Sequence, residues 1–318
     1  GVGRVSSLFV YPMSFDEFLM ATGQEGLLRT KRNCSPLNPL PEAFYAKLVE
    51  AFRSYMLVGG MPEAVAIYTE TGSYRYSSDI VNEIIQGYQD DFAKYGAKAN
   101  PLLLRQTLIS VAHQAGAKFI YSRVEGQYRS AEVKVALEML KDAGLIIPTY
   151  HTDANGVPLG AEINERVVKY LIHDTGVLLG ILGIDDDIDE RIKEMMVADS
   201  IDLVDKGHVA EMMAGLELIK YSSPQKRHQL YYWQNMNKGT CAEVDYVIAR
   251  SGSIVPIEVK SGVKGSMSSM YSLMRNPQKH IEMGIRCSLE NFGTFASPDG
   301  KKIDIIPLYA ISNLFAEK

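Results

Sequence analysis

Tryptophan and cysteine are scarce in this chain, with one Trp and three Cys among 318 residues. Cys34, Cys241 and Cys287 are odd in number and share no metal-ligand spacing. That argues against a disulfide framework and fits a reducing compartment. No run approaches the roughly 18 apolar residues of a membrane span. No secretory leader pattern is recognisable either, so a cytoplasmic protein without membrane contact is expected. Charge of one sign is not in excess: 33 Lys and Arg stand against 38 Asp and Glu, a net charge of -5. Any nucleic-acid contact would therefore have to be local. His208, His228 and His280 are scattered and show no zinc spacing, and no Ser-His-Asp or Cys-His arrangement is recognisable. GxxxxGK[ST] is missing, so this stretch carries no phosphate-binding loop of its own.

What is present divides by pattern into a helical front and a mixed rear. The chain opens on GVGRVSSLFVYP, strand-like over residues 7–11, and entry in mid-pattern suggests a piece of a longer protein. Ser14-Phe-Asp-Glu17 has the form of a capping box opening a short helix. Residues 32–41 hold Pro36, Pro39 and Pro41 and read as a loop. Residues 42–57 place Phe44, Leu48, Ala51, Phe52 and Tyr55 at helical spacing. Gly59-Gly60-Met61-Pro62 ends that helix, with Pro62 suited to the first position of the next. Residues 74–95 read as a long helix carrying Ile80, Ile84, Tyr88, Asp91 and Tyr95.

From Asn100 onward the pattern is helix (101–115), helix (130–143), the apolar run LIIPTYHT, an Asn155-Gly156 turn and a second strand near Ala161. Helices followed by a hairpin outline a winged helix. Arg123, Arg129, Lys134 and Lys141 lie around its second helix and are candidates for phosphate contacts, with a solvated helix face as the alternative. Residues 167–173 read as a strand, and Asp174-Thr-Gly starts a helix. The acidic run at 185–190, DDDIDE, lacks the glycine and spacing of a calcium loop and reads as solvated. The order of helices and strands from Val167 onward places the whole in the α/β or α+β class.

The most informative stretch is CAEVDYVIARSGSIVPIEVKSG, residues 241–262. It reads as two strands joined by a two-residue turn, Ser251-Gly252. That turn sets Asp245 opposite Glu258 and Glu243 opposite Lys260, both pairs on one face. Two facing carboxylates repel, so a cation is expected between them. Upstream, the helix at 205–221 carries Glu211 off its apolar stripe of Val209, Met212, Met213 and Leu216. Its helical neighbours Gly207, Ala214 and Gly215 lack bulk, which permits another element, the hairpin, to approach closely.

Asp245, Glu258 and the Val259 carbonyl form an all-oxygen set suited to Mg²⁺ or Mn²⁺ rather than zinc. Lys260, on the same face as Glu258, could orient a water and stabilise negative charge on a phosphate under attack. The alternative is an ordinary surface ion pair between Lys260 and Glu243.

Asp245 followed by Glu258-Val-Lys260, after a helix bearing Glu211, resembles the PD-(D/E)xK nuclease superfamily. The stretches GRVSSLFVYPMSFDEFL, YMLVGGMPEAV, YQDDFAKY, KYLIHDTGVLLG, GHVAEMMAGLEL, YYWQ, EVDYVI and PIEVKSG resemble, in order, the C-terminal portion of a prokaryotic AAA+-type ATPase family that ends in domain of unknown function 4143. The resemblance implies the tail of an ATPase core at 1–13, a helical lid-like region at 14–96, a winged helix at 97–162 and a restriction-endonuclease-like mixed sheet flanked by helices at 163–318. It further implies Asp245 and Glu258 as metal ligands, Lys260 and Glu211 as catalytic residues, nucleic acid as partner, and ATP bound only by an N-terminal ATPase domain outside this sequence. The other reading is a non-catalytic module that binds DNA or protein under control of that domain. Substrate, strandedness and oligomeric state are left open.

Overall fold

The structure is a computed structural model that describes residues 3–94, 100–183, 206–235, 242–262 and 265–315. The acidic run at 185–190, Cys241, and residues 95 and 96 of the expected helical unit lie outside these. The architecture is α+β: a helical front packed on two mixed sheets.

The front holds α1 (Phe15–Ala21), α2 (Glu25–Arg32), α3 (Glu42–Val58), α4 (Pro62–Thr71) and α5 (Tyr74–Lys94). The Ser14 capping box forms as expected, hydroxyl to the Glu17 amide and Glu17 carboxylate to the Ser14 amide. Pro62 begins α4. Helix α2 was not expected from the sequence; it has only eight residues and three of its last four are Arg or Lys. In α3 the buried line is Leu48, Ala51, Phe52, Tyr55 and Val58, whereas Phe44 is exposed. In α5 it is Val81, Ile85 and Phe92, one residue round from the expected stripe, with Ile84 and Tyr88 half-buried. The expected strand at 7–11 does not form. Those residues take no regular structure, leave Leu8 and Val10 exposed, and are tied to the rest through the Phe9 amide on the Pro224 carbonyl.

Next come α6 (Pro101–His113), α7 (Ser130–Asp142), β1 (Ile146–Thr152) and β2 (Ile163–Ile172). The two helices and antiparallel hairpin follow the outline read from the sequence. The hairpin is not a free wing. β1 also pairs in parallel with β3 (Leu230–Gln234), which in turn pairs with β4 (Glu243–Val244), giving sheet order β2-β1-β3-β4. A boundary after residue 162 would cut this hairpin in two, because β1 and β2 are hydrogen-bonded along their length.

After β2, Asp174 caps α8 (Thr175–Ile181) through the Val177 amide. Its other carboxylate oxygen takes the Gly60 amide at 2.6 Å, which joins the α3–α4 turn to the sheet. Gly59 has φ +77°, and a Cβ there would lie 2.2 Å from Asp174 Oδ1. Glycine is therefore required by conformation and by space.

The second sheet, order β5-β6-β7-β9-β8, comprises β5 (Tyr246–Arg250), β6 (Ser253–Val259), β7 (Met283–Ser288), β8 (Gly293–Ala296) and β9 (Lys302–Pro307). Helix α9 (Lys206–Lys220) lies against β2 and β6, and α10 (Ser268–Arg275) provides the crossover between the parallel strands β6 and β7. One large hydrophobic core runs without interruption from Phe15, Phe18 and Phe52 through α9 to Ile257, Ile285 and Tyr309. A smaller one under α10 gathers Met270, Leu273, Ile303, Val247 and Trp233.

Candidate active site

The hairpin forms in the expected register. Ser251 (φ +50°) and Gly252 (φ +77°) make the turn, and Tyr246 pairs with Ile257 while Arg250 pairs with Ser253. Asp245 and Glu258 lie one step beyond the last of these pairs. The expected continuous strand from Ala242 to Arg250 is broken at Asp245, however: β4 belongs to the first sheet and β5 to the second. Asp245 is thus the corner at which the chain changes sheets. Glu243 does not face Lys260 as expected; it pairs with Gln234 on β3. Changing sheets one residue after Val244 removes the register that would have carried Glu243 to Lys260.

Around this corner six ionisable side chains of the described residues meet. Asp245 Oδ2 accepts the Val259 amide at 2.7 Å. Lys260 Nζ donates to Glu258 Oε1 at 2.6 Å. Lys169, from the middle of β2, donates at 2.8 Å to Glu211 Oε1 and at 2.5 Å to Glu243 Oε1, and lies 4.9 Å from the centre of the Tyr232 ring. Glu211 is placed by the approach anticipated at its small neighbours. A Cβ on Gly215 would lie 2.3 Å from the Tyr246 hydroxyl, and that hydroxyl donates at 2.8 Å to the Glu211 carbonyl. Beside Glu258 in the sheet, Arg286 holds the loop after Lys260 by donating to the Gly262 carbonyl at 2.9 Å, and to Glu290 at 2.7 Å.

Among the described residues the site gathers four carboxylates and two ammonium groups, and burial shifts titration among them. Burial, and then the neighbouring Asp245, push the Glu258 carboxyl up to about 7 against the pull of Lys260. Burial also raises Asp245, against the Val259 amide it accepts. Burial disfavours the Lys169 ammonium, but Glu211 and Glu243 outweigh it and hold its pKa above the ordinary lysine value. Glu258 is 5% exposed, and among the described residues its Oε2 has no hydrogen-bond partner. A buried carboxylate oxygen with nothing to accept from is costly unless a cation takes it.

Lys169 is the residue that sequence reasoning missed, although a lysine inside the apolar run VVKYLI was a usable signal, since a buried lysine requires partners. The four basic candidates of the winged-helix outline lie elsewhere. Arg123, Arg129 and Lys134 are exposed and interleaved with Glu125 and Glu132, and Lys141 is ion-paired with Glu138. The site and these residues are not brought together.

Two family models match the chain. Residues 49–188 are similar to a domain of unknown function, DUF8612, and residues 206–311 to another, DUF4143. No curated protein and no solved structure matches it. Glu211, Glu243, Asp245, Glu258 and Lys260 fall in the second region and Lys169 in the first, so the cluster is assembled from both. The first match runs through the boundaries expected after residues 96 and 162. No helix among the described residues is long and apolar enough to cross a membrane.

Proposed function

We propose that the corner at Asp245 is a divalent-metal-dependent site that hydrolyses nucleic-acid phosphodiesters, in the manner of the PD-(D/E)xK nucleases, within a protein whose ATPase part lies outside this sequence. The observation that carries this reading is the buried Oε2 of Glu258 beside Asp245, which has no hydrogen-bond partner among the described residues. Oxygen donors fit Mg²⁺ or Mn²⁺, and Asp245 and Glu258 are the side chains that would hold the ion. Bound there, the ion supplies Lewis acidity to the phosphate and a more acidic water.

The rest falls to the chain's own groups. Lys260, anchored on Glu258, presents an ammonium that can bind a phosphate oxygen and retain it as negative charge grows during attack. Val259 fixes Asp245 through its amide, which keeps the carboxylate from rotating away. Arg286 fixes the loop that follows Lys260. Glu211, expected as a catalytic residue, is bound by Lys169 and acts on the site through that lysine.

The test is incubation of the chain with DNA and with RNA in Mg²⁺ or Mn²⁺, beside Asp245→Ala and Lys260→Ala. Cleavage by the unaltered chain that falls a hundredfold or more in both variants is expected. Equal cleavage by the variants, or none with any metal, overturns the reading.

A further inference from the structure

Lys169 has a position that its charge alone explains. Its side chain is 2% exposed, it arises from the centre of a paired strand, and its two close oxygen partners come from different elements, Glu211 on α9 and Glu243 on β4. Burying an ammonium is expensive unless it is paired on more than one side, and these carboxylates do that. The consequence for the site is a division of its acids. Glu211 and Glu243 are committed to an ammonium that belongs to the protein, and the oxygen left without a partner among the described residues is Glu258 Oε2, beside Asp245.

A two-metal phosphodiesterase site needs ions roughly 3.5–4 Å apart, each with its own share of carboxylates. Here the acids that would serve a second ion already hold Lys169. Consistent with that division, no three His, Cys, Asp or Glu side chains among the described residues stand together as a metal cage. Two carboxylates with the remaining positions left to water and substrate phosphate is a habitual Mg²⁺ arrangement.

Resting on the metal-site reading above, we propose that Lys169 stands as a fixed cation where a second divalent ion would otherwise bind, so that the site takes one ion, on Asp245 and Glu258. The lysine would then supply permanent positive charge on the Glu211 side, independent of metal concentration, while the exchangeable ion serves the Glu258 side. Lys169 is a positioning residue in this scheme: it orders Glu211 and Glu243 and does not itself reach the phosphate.

The experiment counts ions rather than turnover. Mn²⁺ is titrated into the whole chain by calorimetry, with free Mn²⁺ followed by electron paramagnetic resonance. One ion per chain is expected. Glu211→Gln and Glu243→Gln should keep the count at one, Asp245→Asn and Glu258→Gln should weaken binding tenfold or more, and Lys169→Met should raise the count to two. Two ions on the unaltered chain, loss of the ion in Glu211→Gln, or a count still at one in folded Lys169→Met each overturn the proposal. If circular dichroism shows Lys169→Met to be unfolded, the unaltered count and the Glu211→Gln count decide, since both keep the lysine in place. Two ions together with intact metal-dependent cleavage would remove this proposal and leave the nuclease reading standing. No binding at all would remove both.

Discussion

At the scale of single residues, Glu258 carries the most consequence because it is buried, next to another acid and holds a proton near neutrality. Its carboxyl titrates at about 7 in the fold against the ordinary 4.5, so between those values the folded chain keeps a proton that the unfolded chain has released. That proton's contribution to stability is complete below pH 4.5 and is lost as pH rises through about 7, at up to about 1.4 kcal/mol per pH unit. In chelator, urea unfolding should therefore show the stability of the unaltered chain declining relative to Glu258→Gln between pH 5 and 7.5. A difference that stays constant with pH would show that Glu258 titrates normally. The same residue shows how far local reasoning reaches: its opposition to Asp245 follows from a two-residue turn and alternation, both local. The arrival of Lys169 does not, because it lies 76 positions from Asp245 in sequence (245 minus 169).

At the scale of elements, the decisive contact is α9 against β5. Gly215 permits it, since a Cβ there would lie 2.3 Å from the Tyr246 hydroxyl and 2.7 Å from a Leu171 methyl, both fully buried. Gly215→Ala should cost about 1–3 kcal/mol by overpacking, measured as a lower urea midpoint. Adding Tyr246→Phe should recover part of the loss by removing the closest atom. If Gly215→Ala is as stable as the unaltered chain, the close approach is not what places Glu211. The lack of bulk at this helix face was readable in the sequence, as was the hairpin that fills it. The break at Asp245 was not, because AEVDYVIAR alternates without interruption, and only pairing with two different partners separates β4 from β5.

At the scale of the whole molecule, the helical front and the rear sheets share one core, and polar groups buried between them reinforce it. Glu217 on α9 accepts the Tyr55 hydroxyl at 2.8 Å and the Phe15 amide at 3.2 Å. Lys31 on α2, fully buried, bridges Asp16 and the Ser312 hydroxyl. A fragment of residues 163–318 would expose these groups, leave β2 and β3 without β1, and strip the Phe15–Phe52–Tyr55 cluster from α9. It should lack a cooperative thermal transition by circular dichroism, whereas residues 1–318 should unfold in one step. A cooperative melt of the fragment would restore the boundary after residue 162.

That boundary marks the division between what the sequence determined and what tertiary structure decided. Helix ends, the Ser14 and Asp174 caps, the Pro62 start, the hairpin turn and the α+β class rest on interactions within a few residues, so the sequence alone specified them. The sharing of β1 between hairpin and sheet, the corner at Asp245 and the arrival of Lys169 between Glu211 and Glu243 depend on segments distant in the chain meeting around a common core. Periodicity says which face of an element is buried; it does not say against which partner, and in this protein the partners complete the site.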